Sequence, residues 1–216
     1  MVGRFHCGAS FTKKNVPAVR SLPAGALSDA LRRAMSNKIK LLFVGPEKVG
    51  KTTVANFLSD FKDTMGSAND EYMPTVGCRI LEFEREVRGG RKKQRSDSKW
   101  SDGQNKLAIE LWDCSGHQRY EPCWPALMQD ANAVIVMYNP ENRGHEREVE
   151  LWYEWFVQKA GIDDDRCLVL AHHVSSQNAQ RKRPPKALSQ CTVVQSSFDD
   201  LESLRNNFDR FLGTLA

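Results

Sequence analysis

The amino-acid sequence predicts an α/β fold with a mostly parallel six-stranded sheet and one antiparallel edge strand. Three observations lead to this class. An apolar run enters a helical pattern near residue 45, two alternating runs then follow each other, and further apolar runs alternate with helical patterns to the end of the chain. Strands that alternate with helices are typical of a parallel sheet, whereas two successive alternating strands are typical of an antiparallel pair.

The first strand and the first helix are the clearest elements. The stretch "KIKLLFVG", Lys38–Gly45, is an apolar run that ends in glycine, as expected for a buried parallel strand. The next segment has apolar residues at helical spacing, namely Val54, Phe57, Leu58 and Phe61. This spacing predicts an amphipathic helix directly after the strand.

The next two strands alternate apolar and polar residues over Cys78–Val87 and Lys106–Asp113, so we expect them to pair antiparallel at one edge. Residues 88–105 between them form a segment far longer than a hairpin turn, which predicts an inserted basic loop. Basic runs in long loops are usually solvated. Such a run could also bind an acidic partner, an anionic lipid or nucleic acid.

The second half of the chain continues the alternation of strands and helices. Residues 131–139 predict another buried strand, and residues 146–161 predict a helix that ends at Gly161. Two further strands are predicted near residues 166–171 and 191–195, before a final amphipathic helix. The segment between these two strands is polar and contains prolines, so we expect any helix there to be short or missing.

Composition excludes several classes of protein. With 216 residues, 40% of them hydrophobic, the chain suits one globular domain with room for an extension and not wholesale disorder. A net charge of +4 is low for a dedicated nucleic-acid binder, so no nucleic-acid partner is expected. Six cysteines without a C-x-x-C pair indicate free thiols in a reducing compartment. No apolar run reaches the about 20 residues of a membrane span, and prenylation and myristoylation motifs are missing, so we expect no direct membrane anchor.

Residues 1–37 differ from the rest of the chain. They contain several lysines and arginines but one acid, Asp29, and few large apolar residues. We predict a basic, disordered extension that precedes a domain of residues 38–216. A transit peptide, or an upstream start with Met35 as the effective beginning of the domain, are the alternatives.

The stretch "GPEKVGKT", Gly45–Thr52, fits the pattern G-x-x-x-x-G-K-[ST] and lies between a predicted strand and a predicted helix. In this context the turn directs backbone N–H groups and a helix N-terminus at phosphate oxygens. Lys51 is expected to neutralise the β- and γ-phosphates, and Thr52 to bind Mg²⁺. The candidate nucleotide-binding residues of this segment are Gly45, Glu47, Lys48, Val49, Gly50, Lys51, Thr52 and Thr53.

Two further motifs follow in the order that a nucleoside triphosphate switch requires. "YMPTVG", residues 72–77, supplies Thr75 as a hydroxyl ligand for Mg²⁺. "WDCSGHQRY", residues 112–120, supplies the carboxylate of Asp113 behind the metal and the backbone N–H of Gly116 for the γ-phosphate. Taken alone, Asp113 could be an ordinary acid at the end of a strand.

These three motifs resemble the P-loop, switch I and switch II of Rab-like GTPases in the Ras superfamily, over Lys38 to about Leu215. The stretches "RILEFE", "CWPALM" and "ELWYEWFV" further resemble the Rab-like subunits of the intraflagellar transport B complex. The resemblance implies a P-loop NTPase with a Ras-like G domain, GTP/GDP and Mg²⁺ as cofactors, and coiled-coil subunits of that complex as partners. It also implies an adaptor role in protein transport, in the cytoplasm, the cilium or flagellum and its base.

The chain departs from this family where the base is recognised. The family tetrad N-K-x-D, whose Asp accepts hydrogen bonds from guanine, corresponds here to His172-His173-Val174-Ser175. A serine in place of the carboxylate weakens discrimination between bases, which leaves ATP open as a ligand. The loop that backs the base corresponds to Ser196-Ser197-Phe198, so the lysine of the family is missing as well.

The two histidines have three interpretations. Neighbouring side chains on a strand point to opposite faces, so His172 and His173 are a poor pair for one metal ion. An altered base pocket, in which His172 stacks on the base, is the favoured hypothesis. Simple packing or solvation is the third.

Hydrolysis is expected to be slow or absent. His117 occupies the position of the water-orienting glutamine of the family, with Gln118 next to it, and these two are the catalytic candidates. Glu47 adds bulk and like charge beside the phosphates, where many relatives have glycine. The alternatives to a slow GTP-binding adaptor are a nucleotide-independent structural subunit and a less base-selective NTP hydrolase.

Overall fold

The structure is a computed structural model that describes residues 38–61, 73–88, 104–173 and 183–216. The predicted extension over residues 1–37 lies outside these ranges. So do residues 89–103 of the predicted loop insertion and residues 174–182, which include Ser175.

The described residues form six strands and four α-helices. The strands are β1 (Lys38–Val44), β2 (Cys78–Arg88), β3 (Gln104–Cys114), β4 (Ala133–Tyr138), β5 (Cys167–His173) and β6 (Thr192–Ser197). The α-helices are α1 (Lys51–Leu58), α2 (Trp124–Met128), α3 (Arg143–Tyr153) and α4 (Leu201–Leu215). Shorter helical segments are the 3-10 turns Gln118–Cys123, Asp164–Arg166 and Lys186–Leu188 and the π-helix Glu154–Lys159.

The strands form one sheet in the order β2-β3-β1-β4-β5-β6. β2 and β3 are antiparallel, and every other neighbouring pair is parallel. The predicted fold class is therefore confirmed. Phe43 of β1 lies in register with Asp113 of β3, so the turn after β1 and the end of β3 meet at the same edge of the sheet.

Helices cover both faces of the sheet. Leu41 and Phe43 belong to the core beneath α1 and α4, whereas Leu42 and Val44 belong to the core beneath α2 and α3. All four side chains are fully buried. The central strand is apolar in consecutive positions because side chains of a strand point alternately to the two faces and both faces are covered.

The helix predicted over residues 146–161 differs in detail. α3 begins earlier, where the Asn142 side chain accepts a hydrogen bond from the Gly144 N–H at 2.9 Å, and it continues after Tyr153 as the π-helix. Trp152 and Phe156 from these two segments pack on the buried Trp124, with ring centroids 4.7 and 5.3 Å away. Apolar periodicity marks such a packed face but does not distinguish a π-helix from an α-helix.

Between His173 and Thr192 the described part of the chain contains one short helix, the 3-10 turn Lys186–Leu188. In the ranges that the structure describes, no helix has the length and apolar character to cross a membrane.

Candidate functional site

The turn between β1 and α1 depends on glycine at two positions. Gly45 has a φ of 138°, and a Cβ atom there would lie 2.0 Å from the Met137 carbonyl oxygen of β4. Gly50 has a φ of 93°, a left-handed conformation that glycine adopts readily. α1 then begins without a side-chain cap or an acidic residue in its first turn. Its positive end therefore favours an anion.

The other side chains of this segment divide between core and surface. Val49 is buried in the core and anchors the turn. Lys48 is exposed, with a positive φ of 59°, and Glu47 and Thr53 are half-buried. Glu47 and Lys48 are thus the charged groups at the outer side of the turn.

Lys51 is held inside the turn. Its Nζ donates hydrogen bonds to the carbonyl oxygens of Gly45 at 2.8 Å and Pro46 at 2.6 Å, and the residue is 7% exposed. Burial lowers the pKa of Lys51 to about 8, against the opposing charges of Asp113 and Glu47. The ammonium group is therefore fixed beside the backbone of the turn, where an anionic ligand would raise its pKa.

Thr52, Thr75 and Asp113 come together although they are far apart in the sequence. The Thr52 Oγ1 lies 2.7 Å from the Thr75 Oγ1 and donates to the Asp113 Oδ2 at 2.8 Å. Asp113 is fully buried, and its Oδ1 has no hydrogen-bond partner in the described residues. Burial raises the pKa of the Asp113 carboxyl, with the Thr52 hydrogen bond opposing it.

These three residues fit a hard divalent cation. Mg²⁺ prefers oxygen ligands, and the cluster offers two hydroxyl oxygens and one carboxylate. The orphaned Oδ1 of Asp113 is a buried acceptor, which costs free energy unless a cation or a donor compensates it. Thr52, Thr75 and Asp113 are thus the residues that could hold the metal.

Arg79 is a member of this site that sequence reasoning missed. It lies opposite Asp113 in the β2–β3 register, and its Nη2 donates to the Asp113 Oδ2 at 3.2 Å and to the Asn56 Oδ1 at 2.7 Å. The guanidinium therefore compensates the buried carboxylate. Pairing the two alternating strands residue by residue would have brought Arg79 to Asp113.

Gly116 lies against the turn after β1. A Cβ atom at this position would be 2.6 Å from the Glu47 backbone nitrogen and 2.7 Å from the Gly45 carbonyl oxygen. The backbone after β3 therefore approaches the turn between β1 and α1 this closely only because residue 116 has no side chain.

His117 and Gln118 are both exposed at the start of the 3-10 turn. The Nδ1 of His117 accepts a hydrogen bond from the Arg119 N–H at 3.1 Å, so the imidazole caps its own helical turn. Gln118 lines a surface groove together with Arg119, Pro122 and Trp155. Their catalytic role stays a prediction.

His172 connects the ends of β5 and β6. The residue is 3% exposed, its Nδ1 lies 3.1 Å from the Ser196 Oγ, and its ring meets Phe198 edge-on with centroids 4.3 Å apart. Burial lowers the pKa of His172 to about 4, so the ring is neutral at neutral pH. Phe198 in turn approaches Gly50, where a Cβ atom would lie 2.8 Å from its ring.

His172 therefore belongs to a series of contacts that runs from β6, through Phe198, to the turn between β1 and α1. The predicted stacking of His172 on a base stays a prediction, since the ring contacts here are with Phe198 and Ser196.

His173 has a separate set of partners. Its Nδ1 lies 3.2 Å from the Glu141 Oε1 and its Nε2 lies 2.7 Å from the Gln195 Oε1. The residue is 2% exposed, and the neighbouring Ser197 on β6 is also buried. His172 thus contacts Ser196 and Phe198, whereas His173 connects β6 to the loop after β4.

The fold and the site define a class of protein. Residues 40–175 match the family model described as Ras of Complex, Roc, domain of DAPkinase. This match agrees with the sheet order, the glycine-dependent turn and the cluster of Thr52, Thr75 and Asp113. The domain is a Ras-like GTPase domain.

The comparison with individual proteins is more specific. The chain is 39% identical to the intraflagellar transport protein 22 homolog of Danio rerio over 82% of this chain and 89% of the relative. It is 38% identical to the Homo sapiens homolog over 82% and 90% of the two chains. The chain belongs to the intraflagellar transport protein 22 family.

Solved structures give the same result. The GTP-bound crystal structure of T. brucei IFT22/74/81 contains a chain that is 26% identical, with a TM-score of 0.58 over 82% of this chain and 96% of that chain. The GTP-bound T. brucei IFT22 structure has a TM-score of 0.54 at 26% identity, over 82% and 94% of the two chains.

Proposed function

We propose that this chain is a GTP- and GDP-binding adaptor subunit of the intraflagellar transport B complex, with slow or no intrinsic hydrolysis. The observation that carries the proposal is the contact of Thr75 with Thr52 and, through Thr52, with Asp113. These groups come from switch I, the P-loop and the end of β3, which are the three segments that a nucleotide-dependent switch must connect.

The phosphates bind at the turn after β1. Lys51 and the first N–H groups of α1 neutralise their charge, while Thr52, Thr75 and Asp113 would hold Mg²⁺. When bound, the cation would supply positive charge that offsets the negative charge of the phosphates. Arg79 keeps the Asp113 carboxylate oriented between nucleotide-binding events.

The γ-phosphate controls the switch segments. Thr75 and Gly116 both lie outside regular helices and strands, and both contact or approach the P-loop. GTP would hold both segments against the P-loop, Gly116 through its backbone N–H and Thr75 as one of the residues that would bind Mg²⁺, whereas GDP would release them. The GTP state therefore presents one ordered surface to a partner.

The partners are the coiled-coil subunits of the complex, and partner binding brings the protein to the cilium or flagellum and its base. Support comes from the T. brucei structure that contains IFT22 together with IFT74 and IFT81. To test this, the chain is loaded with a non-hydrolysable GTP analogue or with GDP. It is then used to capture the counterparts of IFT74 and IFT81 from its own organism. We expect capture with the GTP analogue and weaker capture with GDP or with Thr75→Ala. Equal capture in all three would indicate the nucleotide-independent structural subunit instead.

Asp113→Asn is expected to weaken Mg²⁺ binding by at least about 10- to 100-fold, the range typical of losing even a supporting group behind the metal ligands. The amide keeps the size of the side chain but loses the charge that the buried site offers the cation. The measurement is a Mg²⁺ titration of fluorescent GDP retention. Asp165→Asn, at an exposed carboxylate, is the control. An unchanged titration for Asp113→Asn would remove this residue from the metal site.

His172→Ala is expected to weaken nucleotide binding by up to about tenfold, the equivalent of about 1.4 kcal/mol for one buried hydrogen bond. The change leaves the Ser196 hydroxyl unpaired and loosens Phe198, which supports the turn at Gly50. His172→Asn, which restores the family residue, should retain most of the affinity. If calorimetry gives the same affinity for His172→Ala as for the unmodified chain, His172 has no role in the pocket.

Glu47→Gly is expected to raise the rate of GTP hydrolysis about tenfold, which corresponds to about 1.4 kcal/mol of the barrier. The carboxylate interacts electrostatically with Lys51, and its negative charge repels that of the phosphates. The measurement is single-turnover phosphate release without a partner. Glu47→Gln keeps the bulk and removes the charge, which separates the two effects. Rapid release by the unmodified chain would contradict the proposal of slow hydrolysis.

A further inference from the structure

Cys78 and Cys114 face each other across β2 and β3. They occupy opposite positions in the antiparallel register, and their Sγ atoms are 3.7 Å apart. Cys78 is half-buried and Cys114 is 1% exposed. Solvent therefore reaches the pair from the Cys78 side.

The strand pairing suits a covalent bond between these sulfurs. The Ser115 N–H donates to the Gly77 carbonyl oxygen at 2.8 Å, which makes Gly77 and Ser115 a hydrogen-bonded pair. Because hydrogen-bonded and non-hydrogen-bonded pairs alternate, Cys78 and Cys114 form a non-hydrogen-bonded pair, in which the side chains are closest. The Cα atoms of such pairs are about 4.5 Å apart, within the range of about 4.4–6.8 Å that a disulfide spans.

The pair lies where both switch segments join the sheet. Cys78 is separated from Thr75 by Val76 and Gly77, and Cys114 follows Asp113 directly. A bond between the two sulfurs would therefore tie the segment that carries Thr75 to the strand that carries Asp113. The segment that carries Thr75 would then be fixed at Cys78, so a shorter stretch of chain could move away from the P-loop.

We propose that Cys78 and Cys114 form a redox modification site, a dithiol that a peroxide converts into a cross-strand disulfide and that thereby slows nucleotide release. The Cys78 sulfur attacks one peroxide oxygen, which breaks the O–O bond and leaves a sulfenic acid and, with hydrogen peroxide, one water. The Cys114 sulfur then displaces the hydroxyl group of the sulfenic acid as a second water. Two thiols lose two electrons in total, and the peroxide accepts them. The effect on release rests on the proposed nucleotide binding, whereas disulfide formation does not.

Other described cysteines provide internal comparisons. Cys123 is exposed but has no cysteine partner in the described residues. Cys167 and Cys191 contact each other, but Cys167 is fully buried and Cys191 is 8% exposed. Cys78 is therefore more exposed than Cys114, and more exposed than Cys167 or Cys191.

The test uses the full chain, reduced or treated with hydrogen peroxide. Mass spectrometry of unreduced proteolytic fragments should find the Cys78 and Cys114 fragments joined, with the loss of two hydrogens. Fluorescent GDP should dissociate about fivefold more slowly from the oxidised chain, at the low end of typical coupling between sites. A thiol reductant should reverse both changes. Cys78→Ser should abolish both, and Cys123→Ser should leave both intact.

The outcomes separate the two claims. No joined fragments after peroxide, in a chain whose reduced form is folded, would overturn the modification site. Joined fragments with an unchanged dissociation rate would overturn the coupling. If the reduced chain does not bind GDP at all, the proposed function fails, while the fragment masses still decide whether the dithiol is oxidised.

Discussion

Lys51→Ala should abolish measurable GTP and GDP binding, with an affinity at least about 100-fold weaker. The side chain is buried, donates to the carbonyl oxygens of Gly45 and Pro46, and carries a positive charge at the turn where we propose that the phosphates bind. Loss of two charge-assisted hydrogen bonds to phosphate costs about 3 kcal/mol or more, which corresponds to about 100-fold in affinity. The measurement is isothermal calorimetry in Mg²⁺.

The control for this change is Lys159→Ala. Lys159 pairs with Glu154 at 3.0 Å on the surface, and such pairs contribute little to stability. We expect its nucleotide affinity to be unchanged. A thermal melt without nucleotide checks that Lys51→Ala is folded. A folded Lys51→Ala that binds GTP within about twofold of the unmodified chain would show that the phosphates bind elsewhere.

Gly116→Ala should weaken GTP binding while it leaves GDP binding nearly unchanged. The added Cβ atom would lie 2.6 Å from the Glu47 nitrogen, so we expect the switch II backbone to move away from the P-loop. Overpacking of this kind costs about 1–3 kcal/mol, which corresponds to about 5- to 150-fold in affinity. The loss should fall on GTP because the Gly116 N–H is proposed to contact the γ-phosphate alone.

Gly144→Ala is the matched control. It lies at the start of α3, and its Cβ atom would meet only the Asn142 Oδ1, at 3.2 Å. GTP and GDP affinities should both be retained. Equal losses of GTP and GDP affinity in Gly116→Ala would contradict a γ-phosphate contact, since that contact exists in one nucleotide state only.

Motif residues were the part of the site that the sequence could predict. Lys51 and Thr52 have a fixed spacing within one turn, and the strand before them and the helix after them are visible as apolar patterns. Asp113 and Thr75 follow in an order that the switch chemistry requires. The structure brings Thr52, Thr75 and Asp113 into hydrogen-bond contact, although their roles stay predictions.

Contacts that depend on register and packing could not be predicted in the same way. Arg79 joins the site because β2 pairs with β3 in a register that sets it opposite Asp113. Phe198 supports Gly50 because β6 returns beside β5 and carries the aromatic ring towards the P-loop. Neither contact has a local sequence signal, since each joins residues that are distant in the chain.

For the fold, too, local patterns were predictable from the sequence and details of packing were not. Apolar periodicity correctly predicted six strands and their parallel or antiparallel pairing, because covered faces require apolar side chains at fixed spacing. It did not predict the π-helix Glu154–Lys159. The packing of Trp152 and Phe156 on Trp124 leaves an apolar pattern that an α-helix would also produce.

The most direct test of nucleotide binding is calorimetry of GTP, GDP and ATP with the purified chain and Mg²⁺, in parallel with Lys51→Ala. We predict Mg²⁺-dependent binding of GTP and GDP, weaker binding of ATP, and no binding to Lys51→Ala. Equal binding of ATP and GTP would contradict base recognition by the pocket around His172. Absence of any GTP binding to the folded chain would contradict the proposed function, and the P-loop would then be a structural relic in a scaffold subunit.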